Sequence, residues 1–145
     1  MKAAIIAAKN HCDAAGIRLT PIRQRVLELV WEDHEPVKAY DILDKLKQAK
    51  SSSAPPTVYR ALDFLQEEGL VHKIESLNAY IGCGDPRDFH KGQFFICHDC
   101  GSVAELDDDE IRCLLQKKAK YFGFEINDEM VEIKGHCQEC RGLKE

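Results

Sequence analysis

The sequence predicts an α+β protein, with an N-terminal winged helix-turn-helix domain followed by a C-terminal α/β unit. Three observations predict it. Four stretches of helical periodicity run to Gly69, and a short strand pair follows at once. A polar stretch, GDPRDFHKG, then interrupts the pattern. Beyond it, two CxxC pairs lie on either side of a strongly signalled helix and its flanking strands. This divides the chain into a winged-helix domain over 1–84, a hinge over 85–91 and a second domain over 92–145.

The elements follow in order. KAAIIAAKNHCDAAG reads as a helix ending at Gly16. TPIRQRVLELVWED reads as a second helix, with Thr20 as N-cap and Pro21 at the first helical position, where a missing N–H costs nothing. Val26, Leu27, Val30 and Trp31 recur at helical spacing. AYDILDKLKQAK is a third helix with Ile42, Leu43 and Leu46 on one face, and neither Val37 nor Lys38 is a good cap for it. SSSAPP stops that helix. TVYRALDFLQEEG forms a fourth, with Pro56 near its start, Gly69 at its end and Val58, Leu62 and Leu65 facing inward. LVHKIESLNAYIGC forms two strands with a turn near Leu77 and Asn78. In the second half QFFIC and SVAEL are strands, and DDDEIRCLLQKKAKYFG is a helix with acids in its first turn, lysines near its last and Gly123 at its stop. FEINDEMVEIKGHC returns as one long strand or a pair. The sheet of this half could pair with a copy of itself.

Composition narrows the class. The 145 residues are 44% apolar and 31% charged, as in soluble globular proteins. No apolar run approaches the roughly 18 residues of a membrane span, and the run in MKAAIIAAKN is shorter than the about 7–15 residues of a signal sequence. The reading is a cytoplasmic protein with no membrane partner. Net charge is −5, and all of it lies after residue 84: residues 1–84 hold 11 basic and 11 acidic side chains, residues 85–145 hold 9 and 14. The neutral first half can still present a basic face.

Seven cysteines are many for a reducing compartment, and an odd number suits a disulfide framework poorly. Cys97 with Cys100 and Cys137 with Cys140 form two knuckles, each aiming two thiolates at one ion. Together they give the closed tetrahedral S₄ set that structural zinc prefers. Rubredoxin-like iron is chemically compatible with the same set. Cys12 and Cys113 lie on helices among apolar residues and are assigned to packing. Cys83 ends the wing strand beside the hinge, near His72, His90 and Glu105. Those four offer one S, two N and one O donor, a possible second zinc site. Spacing alone leaves open the competing reading of surface histidines and a solvated glutamate. His11, His34, His98 and His136 are left unassigned.

RLTPIRQRVLELV, PPTVYRALDFLQEEGLVHKIES, NAYIGC, FFICHDCGSVAEL and VEIKGHCQEC together resemble the ferric-uptake-regulator family of metal-dependent transcription factors, in the right order over nearly the whole chain. HKIESLNAYIGC is most similar to the family's zinc-responsive branch. The resemblance implies a winged helix that binds double-stranded operator DNA, a C-terminal dimerisation domain, and a homodimer that represses zinc-uptake genes when zinc is bound. It implies two zinc ions per subunit: structural at Cys97, Cys100, Cys137 and Cys140, and regulatory at His72, Cys83, His90 and Glu105. The iron-type branch carries a His-rich run where this chain has RDFHKGQFFIC, which favours zinc over the alternative of an iron- or manganese-responsive regulator. The fourth helix matches the family's recognition helix. Thr57, Tyr59 and Arg60 would then face the major groove, Arg18 and Arg23 would contact phosphates, and Lys73 would reach the backbone from the wing. A core position for Tyr59 is the competing reading.

No enzyme is expected and no small organic substrate. The deaminase pattern H-x-E with P-C-x-x-C is absent, since His72 and Glu75 are wrongly spaced and neither CxxC follows a proline. A zinc-bound redox-switched protein, using disulfides between the knuckles, is the rival from another class.

Overall fold

A computed structural model describes residues 2–33, 35–49, 54–83, 92–106, 108–127 and 129–142. The chain separates into two compact units, Met1–Phe89 and His90–Glu145.

The first unit is built from α1 (Lys2–Ala15), α2 (Pro21–Trp31), α3 (Ala39–Ala49) and α4 (Pro55–Glu67), followed by a hairpin of β1 (Val71–Ile74) and β2 (Ala79–Gly82). Thr20 caps α2 as the sequence predicts: its Oγ1 accepts from the Arg23 amide at 3.4 Å, with Pro21 in the first turn. Nothing in the sequence caps α3 with a side chain. Backbone pairing holds its entry instead, Val37 exchanging both hydrogen bonds with Tyr80 of β2 at 2.9 and 2.7 Å. The lead-in to α3 thus forms a third rung beside the wing, which alternation over two residues cannot reveal.

α4 ends in a Schellman turn. Gly69 takes φ +72°, the Leu70 amide reaches Leu65 O at 2.9 Å, and the Gly69 amide reaches Gln66 O at 3.0 Å. That reversal delivers the chain directly into β1. Ile42, Leu43, Leu46, Val58, Leu62 and Leu65 are all buried, as their helical spacing predicts, and join Ala8, Cys12, Val26, Leu27 and Val30 in one core. Trp31 is only partly buried and packs on that core's edge. Its indole packs against Gly82, where a Cβ would come within 2.3 Å of Trp31 Cε2.

The second unit holds β3 (Gln93–Cys97), β4 (Val103–Glu105), α5 (Asp109–Tyr121), β5 (Val131–Gly135) and a short α6 (Gln138–Gly142). The sheet order is β4-β3-β5. β3 pairs antiparallel with β4 and parallel with β5. Parallel neighbours need a long crossover, which α5 provides. Buried Gln93 orients that helix: its side chain accepts from the Asp108 amide and donates to Asp108 O, both at 3.3 Å. Asp108 in turn caps α5 by accepting from the Ile111 amide at 3.2 Å.

Two expectations need correction. The stretch FEINDEMVEIKGHC yields one strand of 5 residues, Val131–Gly135, and not a long strand or a pair. Its alternation begins only where β3 offers a partner. Cys113 is exposed, because α5 has no buried residue within one chain. Cys12 is buried, as packing requires. α6 follows the second knuckle, a short helix that no periodic pattern in the sequence marks. The predicted hinge, 85–91, lies outside the described residues.

The Trp31–Gly82 contact generates a test. Gly82→Ala should destabilise the first unit by about 1–3 kcal/mol through overpacking. Chemical denaturation followed by fluorescence reads this cleanly, since Trp31 is the single tryptophan of the chain. Unchanged stability and an unshifted emission maximum would contradict the packing.

Candidate functional site

The parallel register of β3 with β5 pairs Cys97 with Gly135, so both CxxC turns leave the same end of the sheet. The first turn is closed by the Cys97 amide on Ser102 O at 2.9 Å and the Gly101 amide on Cys97 O at 3.0 Å, with Gly101 at φ +72°. Across the gap, the Cys137 amide donates to Cys97 Sγ at 3.3 Å. α6 then carries Cys140 back, its Arg141 amide on Cys137 O at 2.9 Å. The four Sγ atoms of Cys97, Cys100, Cys137 and Cys140 lie within 4.8 Å of one another.

These sulfurs fit one tetrahedral ion. Zn–S bonds of about 2.3 Å imply sulfurs roughly 3.8 Å apart, and Cys100 and Cys137 Sγ are 3.7 Å apart. Electrostatics points the same way. Backbone amides, chiefly those of Cys100 and Cys137, lower the Cys97 thiol to about 6. Ser102 Oγ lies 3.1 Å from Cys100 Sγ, and its hydroxyl lowers that thiol too by donating to the thiolate. Cys140 moves upward, mainly because it serves as thiol donor to Cys137, and also through burial. Thiols this close cannot all ionise unaided, and a bound divalent cation removes the conflict.

A second pair of donors sits on the wing. β1 and β2 pair with Val71 opposite Gly82 and His72 opposite Ile81. The Cys83 amide extends the ladder to Leu70 O at 3.0 Å. His72 and Cys83 are therefore diagonal neighbours on one face. Both are buried, and an imidazole nitrogen of His72 lies within 4.8 Å of Cys83 Sγ. His72 is therefore no surface histidine, and the pair is placed so that it could offer two donors to one ion. Glu105 belongs to the second unit, at the end of β4 opposite Phe94. His90 lies outside the described residues.

The proposed nucleic-acid contacts lie in the first unit. Thr57, Tyr59 and Arg60 are exposed on the first half of α4, while Val58, Ala61 and Leu62 bury its other face. Tyr59 is 50% exposed, so it is no core aromatic. Asp63 and Glu67 continue the outer face, which confines any approach of phosphate to the N-terminal turns, where the helix dipole is positive. Arg18 is exposed. Arg23 has an internal duty that the sequence did not disclose: its guanidinium lies 3.7 Å over the Phe64 ring and donates to Arg18 O at 2.8 Å. Lys73 pairs with Glu75 at 3.6 Å on the wing. Tyr40, exposed at the start of α3, is an aromatic that sequence reasoning passed over. Only its place as a large aromatic on the exposed face of an amphipathic helix marks it.

Comparison with known proteins adds the following. A model described as the ferric uptake regulator family matches residues 14–134. The zinc uptake regulation protein of Escherichia coli is 40% identical over 134 residues, covering 92% of this chain and 78% of that protein. A solved structure of a zinc uptake regulator complexed with zinc and DNA aligns with TM-score 0.92 at 37% identity, covering 99% of this chain and 96% of the other. The crystal structure of holo XcZur aligns with TM-score 0.90 at 41% identity, covering 98% and 99%.

Cys97→Ser should cost the chain one tightly held ion and the cooperative unfolding of its second unit, because the binding energy of a structural ion is folding energy. Cys12→Ser should keep the ion. Metal analysis together with thermal unfolding checks both, and a Cys97→Ser protein with full metal content and unchanged unfolding would contradict the assignment.

Proposed function

The chain belongs to the ferric uptake regulator family, and from that premise we propose that it is a zinc-dependent transcriptional repressor of zinc-uptake genes. It binds double-stranded operator DNA as a homodimer when zinc is bound, and acts in the cytoplasm as a regulator without catalytic chemistry. The observation that carries the reading is the combination within one chain of an exposed recognition-helix face on a winged helix, a four-thiol cluster, and a buried imidazole–thiol pair on the wing. Its similarity to zinc uptake regulators at about this identity over most of the chain supports the choice of metal.

Two zinc ions per subunit are proposed. Cys97, Cys100, Cys137 and Cys140 would hold the structural one. His72 and Cys83 would share the regulatory one with His90 and Glu105. A thiolate in the second set suits zinc better than iron or manganese, which prefer harder donors. Both sets are complete with four donors, leaving no open position of the kind a catalytic zinc keeps. The ion supplies a cross-link between donors from the two halves of the chain. In that state the two winged helices of the dimer match the half-sites of a roughly palindromic operator. Zinc raises DNA affinity by the factor with which DNA raises zinc affinity.

On DNA, Arg60 reads a guanine edge bidentately or grips a phosphate, and Tyr59 offers its hydroxyl to phosphate or its ring to a thymine methyl. Thr57 and Arg18 contact phosphates, and Lys73 follows the backbone from the wing. Arg23 holds α2 against α4 through Phe64, so its own phosphate contact would come second to that role. Dimerisation is supported by a row of apolar side chains on the second unit's sheet. Ala104, Phe95 and Ile133 are in register across three strands, with Phe95 and Ile133 each 47% exposed. Such a face asks for a cover, and a second copy supplies the same face.

Arg60→Ala should weaken operator binding by about 1–3 kcal/mol and leave thermal stability unchanged, whereas Arg23→Ala should lower stability as well. Fluorescence anisotropy and calorimetry separate the two, and identical behaviour of both variants would defeat the distinction. Cys83→Ser should abolish zinc-dependent operator binding in a gel shift while the protein stays folded and keeps its four-thiolate ion. Undiminished zinc dependence in that variant would remove the regulatory site.

A further inference from the structure

The same register that gathers the thiols places other donors beside them. Cys97 pairs with Gly135, and the His98 amide continues the ladder to Gly135 O at 2.8 Å. His98 and His136 are therefore next-rung neighbours, one from each CxxC turn. Their ring centroids are 6.0 Å apart. His136 Nδ1 and Asp99 Oδ2 are 3.0 Å apart. All three side chains are exposed, and none is needed by the four-thiolate centre, whose coordination is already complete.

His136 is thus an imidazole held by a carboxylate, with a second imidazole beside it. A carboxylate that accepts from Nδ1–H fixes the tautomer of an imidazole, frees Nε2 as the acceptor and raises its basicity; metal-binding histidines are commonly held this way. Two imidazoles bound to one ion at about 2.0–2.1 Å have ring centres roughly 5 Å apart, close to the 6.0 Å between His98 and His136. Two imidazole nitrogens, with water completing the shell, suit a borderline divalent cation such as zinc. The residues after 84 carry all of the chain's net charge of −5, which raises the local concentration of cations.

We propose that His98 and His136, with His136 oriented by Asp99, form a third, weaker and solvent-facing site for a divalent zinc-like cation beside the four-thiolate centre. Its openness makes it exchangeable, and it fills only after the thiolate sites are satisfied.

The test uses full-length protein with its tight sites already filled, titrated with Zn2+ alone and followed by calorimetry and equilibrium dialysis. Wild type should take up one further ion per chain, and His98→Asn combined with His136→Asn should take up none. Asp99→Asn should keep the ion at about 10-fold lower affinity. Equal uptake by wild type and the double variant would overturn the site. So would loss of the four-thiolate ion from the double variant, since the histidines would then be braces for that centre. None of these readouts depends on DNA, so failure of the repressor reading would leave the result intact and interpretable.

Discussion

The parallel pairing of β3 with β5 is the constraint on which the second unit depends. One register, Cys97 beside Gly135, brings two CxxC turns separated by a crossover helix to the same sheet end. The same ladder sets Phe95 beside Ile133 on the exposed apolar face and His98 beside His136 at the rim. A slip of one residue would turn each side chain to the opposite face. It would separate the thiols, the apolar row and the imidazoles together. The register brings the four thiols together, and an ion bound among them would fix the register in turn. A unit whose described residues include so few buried side chains needs such a cross-link, as small domains generally do.

The first unit solves a different problem with ordinary means. Its helices bury one continuous core, and its caps and turns are local. What the function requires is that the outer face of α4 stay free while its inner face is fixed. Val58, Leu62 and Leu65 anchor it from beneath, Arg23 clamps Phe64 from the side, and His11 meets Glu68 at 3.0 Å just past its end. Thr57, Tyr59 and Arg60 are left to the solvent. The hairpin begins immediately after this helix, so the wing that carries His72 and Cys83 is continuous with the helix proposed to read DNA. Coupling between metal and operator then needs no long path.

Much of this was legible in the sequence because it is local. Thr20 and Pro21 mark the start of α2 by chemistry that acts within one turn, and Gly69 marks the end of α4 by its positive φ. The inward faces of α3 and α4 follow from helical period alone. The four-thiol cluster was legible because two CxxC turns constrain one another. The misses share one physical cause: they depend on partners distant in sequence. β5 is strand only as far as β3 accompanies it, Cys113 is exposed because α5 buries nothing within a single chain, and Val37 pairs with Tyr80 across the length of two helices. The contact of Arg23 with the Phe64 ring is hidden from the sequence because Phe64 lies on another helix. His72 with Cys83 was ambiguous by spacing and becomes a donor pair only through the hairpin register.

The proposed role turns on zinc-dependent binding of this chain to operator DNA. Its most direct measurement is a gel shift of the wild-type protein on a zinc-transporter promoter, titrated separately with buffered zinc, iron and manganese. Zinc should drive the shift at the lowest free-metal concentration, with iron and manganese ineffective there. A shift driven by iron alone, or none with any metal, would contradict it.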